Sequence, residues 1–309
     1  MNRTAVISHP DTLLHVMDGQ HPESPARISA IQAAINASPI RHQLDFYQAP
    51  LATRQHLTLA HDQAYVDYIY AIAPSAGIVK LDADTAMGPA SLEATLRASG
   101  AAILATDLVM QQKARHAFCC TRPPGHHAGK RNSAGFCIFN HVAVGVMHAL
   151  KHYRLQRIAI IDFDVHHGDG TENIFKQNQA VMLCSTFQHP FYPHKGANSR
   201  TNRMINVPLP ANASGEAFRE AVTREFTPAI EAFKPEILFV SAGFDAHRQD
   251  PLANLALEIE DFSWITRYIV ALSEKYCKGR IVSCLEGGYH LQYLSESVLA
   301  HIKTLSEST

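Results

Sequence analysis

The sequence predicts an α/β protein of three layers, with helices on both faces of a mostly parallel central sheet of about eight strands. Two observations lead to this prediction. Short apolar runs rich in β-branched residues alternate with longer amphipathic segments, which is the order typical of parallel sheets. No repeat, low-complexity tract or shift in composition marks a boundary within the 309 residues, so we expect a single domain, 1–309.

Eight segments are predicted as strands because they are short, apolar and bounded by turn-forming residues. They are 4–8, 44–47, 117–120, 157–163, 181–187, 204–207, 236–242 and 280–285. Seven longer segments with amphipathic spacing are predicted as helices. They are 25–36, 63–72, 89–112, 140–153, 215–232, 262–275 and 291–304. Pro25 after Ser24, and Ser214 before Gly-Glu-Ala-Phe, are signals that start two of these helices.

Three connections are long and rich in Pro, Gly, His and Asn, namely 121–139, 188–203 and 243–256. Long loops inside a compact domain usually carry function. In an open α/β sheet, ligands bind beyond the carboxyl ends of the strands. We therefore expect the active site where these loops meet the ends of the strands.

The composition argues against several classes of protein. The chain has 27 Lys and Arg against 28 Asp and Glu, so it lacks the basic surface of a nucleic-acid-binding protein. Its six cysteines include no C-x-x-C pair, and its first residues lack the apolar region of a signal peptide. No run approaches the roughly 18 apolar residues of a membrane-spanning helix. We therefore expect a cytoplasmic protein that binds neither nucleic acid nor membrane.

The stretch from Asp162 to Gly170 is the most informative part of the chain. It places three carboxylates and two imidazoles directly after the apolar run 158–161. Charged side chains are rarely buried unless they are paired or bind a metal. Side chains two apart on an extended backbone share a face, so Asp162, Asp164 and His166 can point the same way. Asp and His are suitable ligands for zinc, so the stretch predicts a divalent metal site.

Titratable groups also follow three other predicted strands. The pair His126-His127 follows the third strand, Asp245 follows the seventh and Tyr289 follows the eighth. The carboxyl ends of parallel strands lie at one edge of a sheet, so we expect these groups to converge on the metal site.

Four motifs together resemble the zinc-dependent histone deacetylase family of the arginase/deacetylase superfamily. In chain order they are Arg122-Pro-Pro-Gly-His-His, Asp162-Phe-Asp-Val-His-His-Gly-Asp, Ala242-Gly-Phe-Asp-Ala-His and Glu286-Gly-Gly-Tyr. The first motif is similar to the class II branch and to bacterial histone deacetylase-like amidohydrolases. The resemblance extends from His21 to Tyr289 and implies the arginase/deacetylase fold, with the active site at the carboxyl ends of the strands.

The resemblance implies a role for each group. Asp164, His166 and Asp245 would bind one Zn²⁺ per chain and leave a position open for water and substrate. On ligand grounds Fe(II) is also compatible. His127 would act as general base and then general acid, with His126 as its electrostatic partner.

The remaining catalytic residues would support these groups. Asp162 would orient His126, and Asp169 would orient His127. Tyr289 would donate its hydroxyl to the developing oxyanion.

Four residues would form the substrate tunnel by the same resemblance, namely Gly135, Phe136, Tyr192 and Leu252. Leu252 stands where polyamine deacetylases of the vertebrate type have Glu, which favours acetyl-lysine over acetylpolyamine. The resemblance also implies structural K⁺, bound by Asp162, Asp164, His166, Ser185 and Thr186. A second potassium site would correspond to Phe175, Asn178, Val181 and Arg203, where the Arg departs from the usual aromatic or neutral residue.

The leading prediction is therefore a zinc-dependent deacylase that hydrolyses acetyl-lysine side chains in peptides or proteins. One alternative is an amidohydrolase for small acetylated amines such as acetylpolyamines. An arginase-like di-manganese ureohydrolase shares the fold but requires two metals per chain. A non-catalytic acetyl-lysine binding module would have a broken catalytic set, whereas this chain has both His127 and Tyr289. The oligomeric state stays open.

Overall fold

A computed structural model describes residues 3–17 and 19–307 of the chain. Its strands, in chain order, are β1 Thr4–Ser8, β2 Leu44–Gln48, β3 Val79–Lys80, β4 Ala86–Met87, β5 His116–Cys119, β6 Ile158–Asp162, β7 Val181–Gln188, β8 Met204–Leu209, β9 Ile237–Ala242 and β10 Ile281–Leu285. Eight of them form one sheet in the order β2-β1-β5-β10-β9-β6-β7-β8, and every neighbouring pair in it is parallel. β3 and β4 form a separate antiparallel hairpin.

The helices lie in two layers. In chain order they are α1 Pro25–Ala37, α2 Arg54–Leu57, α3 Gln63–Ile72, α4 Ser91–Met110, α5 His141–His152, α6 Asp169–Phe175, α7 Gly215–Phe233, α8 Ile259–Tyr276 and α9 Leu291–Glu307. One apolar core holds side chains of α1, α7, α8 and α9 against one face of the sheet. A second core holds those of α3, α4 and α5 against the other. The predicted three-layer α/β/α fold is confirmed.

All eight strands and seven helices predicted from sequence occur within three residues of their predicted ends. The Ser214 hydroxyl accepts a hydrogen bond from the Ala217 N–H, as expected at a helix start. The elements that were not predicted are short. They are α2, α6, the β3–β4 hairpin and two 3₁₀ helices, Pro10–Leu13 and Pro39–Gln43. Segments this short show too few residues for a hydrophobic period to be recognised.

The register of the sheet brings the motifs to one edge. Cys119, Cys284, Ser241 and Asp162 are successive partners across β5, β10, β9 and β6, so the four strands end at one level. The chain after each of these residues therefore emerges beside the others, as the sequence predicts. In the part of the chain that the structure describes, no helix has both the length and the apolar character needed to cross a bilayer.

Candidate active site

Asp164, His166 and Asp245 come together at this edge of the sheet. One ligand atom from each lies within 4.8 Å of the others, and no other such group of three occurs among residues 3–17 and 19–307. Backbone N–H groups of His166 and Gly287 donate to the two oxygens of Asp164, each at 2.9 Å. The Val165 N–H donates to Asp245 Oδ1 at 3.0 Å. The carboxylates are thus held in place before any ligand binds.

These residues fit a divalent metal. Asp245 Oδ2 is buried and accepts no hydrogen bond, which leaves a lone pair for a cation. His166 Nδ1 lies 3.0 Å from Asp164 Oδ1 and 3.3 Å from Asp245 Oδ2. Burial alone would lower the pKa of His166, but the two carboxylates raise it to about 10. The site therefore favours positive charge between these atoms, and zinc is compatible with two carboxylates and an imidazole.

His126 and His127 form a pair of adjacent rings whose centroids lie 4.0 Å apart. His126 Nδ1 lies 3.0 Å from Asp162 Oδ2, and His127 Nδ1 lies 2.9 Å from Asp169 Oδ1. Each ring is therefore oriented through Nδ1, which keeps Nε2 for chemistry. His126 Nε2 lies 3.7 Å from Asp164 Oδ1, so the pair adjoins the candidate metal ligands.

The two imidazoles differ in proton affinity. Burial opposes protonation of His126, but the charges of Asp164 and Asp162 raise its pKa well above the usual value. Burial and the positive charge of His126 lower the pKa of His127 to about 3, although Asp169 acts in the opposite direction. At neutral pH His127 is therefore neutral and able to accept a proton, as a general base must be.

Tyr289 lies in the loop after β10, and the glycines before it let this loop approach the metal ligands. A Cβ atom at Gly287 would overlap Asp245 Oδ2, and Gly288 has a φ of +120°. Arg27 Nε donates to the Gly288 carbonyl at 2.6 Å, and its guanidinium lies 4.9 Å from the centre of the Tyr289 ring.

Arg27 is held in place by a buried salt bridge with Glu23. Arg27 and Arg122 are both fully buried, and both pair with Glu23. Arg122 contacts both Glu23 oxygens, at 2.6 and 2.7 Å. One buried carboxylate is thus shared by two guanidinium groups, whose other N–H groups donate to backbone carbonyls such as those of Gly288 and Thr12.

A cavity of about 200 Å³ leads to these groups. All four residues predicted for the tunnel line it, together with His126, His127, His166 and Tyr289. The Phe136 ring meets the Tyr289 ring edge to face, with centroids 5.8 Å apart. The Tyr192 ring meets the His127 ring in the same way, at 5.1 Å. The cavity therefore has aromatic walls and a polar end.

Four residues of the site have no role in the sequence prediction. Glu286 is buried and accepts N–H groups of Gly125 and His126, at 2.6 and 3.1 Å. Asp250 accepts the Tyr289 N–H, Asp84 lines the cavity, and Lys195 pairs with Asp169 at 2.7 Å. Each contact joins residues far apart in the chain, so the sequence carries no local signal for it.

The residues predicted to bind potassium lie at adjoining strand ends. Asp162 and Ser185 are register partners on β6 and β7, and Thr186 follows. At the second predicted site, the carbonyls of Phe175, Asn178 and Arg203 already accept backbone hydrogen bonds. Binding of potassium stays a prediction at both sites.

The fold and this arrangement of side chains are those of a hydrolase of the α/β class with a candidate metal site. Residues 21–305 match the family described as the histone deacetylase domain. The chain therefore belongs to the histone deacetylase family, whose members are zinc-dependent hydrolases that act on acetylated substrates.

Individual relatives and a solved structure are similar to most of the chain. The chain is 36% identical to the uncharacterized protein slr0245 of Synechocystis sp., covering 97% of this chain and 99% of the relative. It is 33% identical to the histone deacetylase-like amidohydrolase of Pseudomonas aeruginosa, covering 93% of this chain and 77% of the relative. The crystal structure of the HDA15 HD domain superposes with a TM-score of 0.91 at 31% identity, covering 99% of this chain and 88% of that one.

Proposed function

We propose that the protein is a zinc-dependent deacetylase that hydrolyses the side-chain amide of acetyl-lysine in peptides or proteins. One observation carries the proposal. The same 200 Å³ cavity is lined by a candidate metal ligand, both histidines of the pair, Tyr289 and two aromatic walls. A lysine side chain with an amide at its end suits a cavity of that volume and lining.

The chain's own residues supply the proton chemistry of amide hydrolysis. Zinc bound by Asp164, His166 and Asp245 would supply Lewis acidity toward the substrate carbonyl and the attacking water. His127, neutral and oriented by Asp169, accepts the proton of the water and passes it to the leaving amine. His126 keeps its positive charge beside the developing negative charge, and Tyr289 donates a hydrogen bond to the oxyanion.

The walls of the cavity support acetyl-lysine as the proposed substrate. Phe136 and Tyr192 present aromatic surface to the methylene groups of the side chain. Leu252 lines the same cavity without offering a charge for an amine to pair with.

Turnover of an acetyl-lysine fluorogenic peptide tests the proposal. We expect activity that a hydroxamate abolishes and that His127→Ala lowers by about 10²–10⁴-fold, the usual range for loss of a general acid–base group. His152→Ala is the matched control, because His152 is exposed on α5 away from the cavity. Absence of turnover in protein that holds one zinc per chain would contradict the proposal.

Small acetylated amines are the second candidate substrates, because one carboxylate, that of Asp84, lines the cavity. Asp82 Oδ1 accepts the Asp84 N–H at 3.0 Å. Burial and the charge of Asp82 raise the pKa of Asp84, so a cationic amine there would relieve repulsion. The ratio of kcat/KM for acetylspermidine and for the peptide decides between the two. A large preference for the amine, reduced selectively by Asp84→Asn, would overturn the proposal for lysine.

A further inference from the structure

Asp250 connects two loops of the site and has no role in the reaction described above. Its side chain is buried, with the residue 7% exposed. Oδ2 accepts the N–H groups of Tyr289 at 2.6 Å and of His290 at 3.2 Å. Oδ1 accepts the N–H of Leu252 at 3.0 Å. One carboxylate thus contacts both the segment that carries the tyrosine and the segment that carries the cavity wall.

The loop that carries Asp250 is itself held by hydrogen bonds within the loop and to strand β7. The Asp250 N–H donates to the His247 carbonyl at 2.8 Å, and the Arg248 N–H donates to the Leu257 carbonyl at 2.9 Å. Further along the loop, the Asn254 N–H donates to Gln188 Oε1 at 2.8 Å. The position of Asp250 is therefore fixed, and its carboxylate can hold the segment that carries Tyr289.

Only a carboxylate meets all three contacts. The three partners are donors, so an amide at this position would direct its own N–H toward at least one of them. An aliphatic side chain would leave three N–H groups without their acceptor in a buried place, which is unfavourable. The chemical type of residue 250 therefore matters, and not only its size.

We propose that Asp250 is a positioning residue that sets the place of the Tyr289 hydroxyl and couples it to the cavity wall at Leu252. The inference rests on the proposed deacetylase function, since the hydroxyl acts on the substrate oxyanion there. Arg27 and Phe136 bound the Tyr289 ring, and Asp250 holds its main chain. Displacement of a catalytic group by about 1 Å can cost about 10²-fold in rate.

A double-mutant cycle with Tyr289→Phe tests the inference. We expect Asp250→Ala to lower kcat by about 10²-fold. Tyr289→Phe alone should lower kcat by about 10²–10³-fold. In the Tyr289→Phe background, Asp250→Ala should change kcat by less than about threefold, because the group it positions has gone. Equal effects of Asp250→Ala in both backgrounds would show a merely structural role and overturn the inference.

Asp250→Asn separates the contact with the tyrosine segment from the contact with Leu252. Its oxygen would face the two N–H groups of the tyrosine segment, so its amide would face the Leu252 N–H. We expect kcat to stay within about fivefold and KM to rise, because the wall loosens more than the tyrosine. If Asp250→Ala does not fold, Asp250→Ser enters the cycle with the same expected loss of additivity. A kcat for Asp250→Asn as low as that for Asp250→Ala would contradict the separation.

Amide hydrogen exchange provides a readout that needs no activity. The Tyr289 and His290 amides should exchange faster in Asp250→Ala, with amides of the Gly125–His126 segment unchanged. Asp261→Ala is the matched control, because Asp261 is a buried carboxylate that accepts the Glu258 N–H at 2.9 Å and pairs with Arg219, outside the cavity lining. It should lower stability and leave kcat unchanged. If the Tyr289 and His290 amides exchange faster in Asp250→Ala but the wild-type protein shows no deacetylase turnover, only the proposed function is contradicted. If their exchange is unchanged in Asp250→Ala, the positioning role is contradicted.

Discussion

The inner pair, His126 with Asp162, and the outer pair, His127 with Asp169, have the same composition and opposite electrostatics. Their Nδ1–oxygen distances are 3.0 and 2.9 Å. Asp162 is fully buried, and His126 also faces Asp164. The Asp169 side chain is 10% exposed and pairs with Lys195, which is 66% exposed.

The surroundings of each pair set the proton affinity of its imidazole. A carboxylate on Nδ1 favours the protonated imidazole in both pairs. Burial lowers the pKa of both rings, but the charges of Asp164 and Asp162 raise that of His126, whereas the cation of His126 lowers that of His127 further. One fold thus produces a charged and a neutral imidazole side by side.

The largest expected effect comes from removing either ring. We expect His127→Ala to lower kcat by about 10³-fold and His126→Ala by about tenfold less, since only the neutral ring transfers protons. The measurement is kcat on an acetyl-lysine peptide, with zinc content determined for each variant. A larger loss for His126→Ala would reverse the assigned roles.

The carboxylates should differ in their contribution to stability. Asp162→Asn removes a buried charge beside a protonated ring, so we expect the free energy of unfolding to fall by about 1–3 kcal/mol. Asp169→Asn should cost less than Asp162→Asn, because the Asp169 side chain is 10% exposed whereas Asp162 is fully buried. Urea unfolding of zinc-loaded protein gives both values. Equal losses would remove the distinction between the two pairs.

The outer pair should also show a defined pH dependence. Burial alone would raise the pKa of Asp169, but hydrogen bonds with His127 and Lys195 lower it from the usual 3.8 to about 2. A depressed carboxyl pKa stabilises the folded state above the unfolded value, and this stabilisation is lost as the pH falls toward 2. The difference in unfolding free energy between wild type and Asp169→Asn should therefore shrink between about pH 4 and pH 2. A difference that stays constant over this window would contradict the assignment.

The smallest effect is expected at Lys195. Exposed ion pairs contribute little and are screened by salt, so Lys195→Met should change kcat/KM by less than about threefold. The change should vanish at high ionic strength. Lys176→Met is the control. Lys176, Lys195 and Asp169 line one surface cavity, separate from the substrate cavity, and Lys176 has no ion pair with Asp169 among the described residues. A loss above tenfold for Lys195→Met would mean that the outer carboxylate depends on the lysine.

Much of the fold could be predicted because parallel strands buried on both faces read as continuous apolar runs. β6 and β9 are buried along their whole length and were predicted to within one residue at each end. The β3–β4 hairpin has two residues in each strand, and α2 has four residues, so neither produced a recognisable pattern. Tertiary contacts, and not local periodicity, form these short elements.

The candidate site could be predicted where its functional side chains come soon after the end of a strand. His126, Asp164 and Asp245 each lie just beyond the carboxyl end of a central strand, and the topology of a parallel sheet brings such ends together. Asp250 and Glu286 were missed as positioning groups. Their partners lie 39 and 161 residues away in the chain, and no spacing rule connects them.

The sequence by itself determined the residue types at the strand ends, and with them the three-layer fold and the histone deacetylase family. Whether a given imidazole is charged was decided only by the tertiary structure. Proton affinity depends on burial and on the distances to every neighbouring charge, and those distances exist only once the loops have packed together. The same physical reason made Asp250 a candidate for positioning Tyr289, because its three N–H partners meet only in the folded chain.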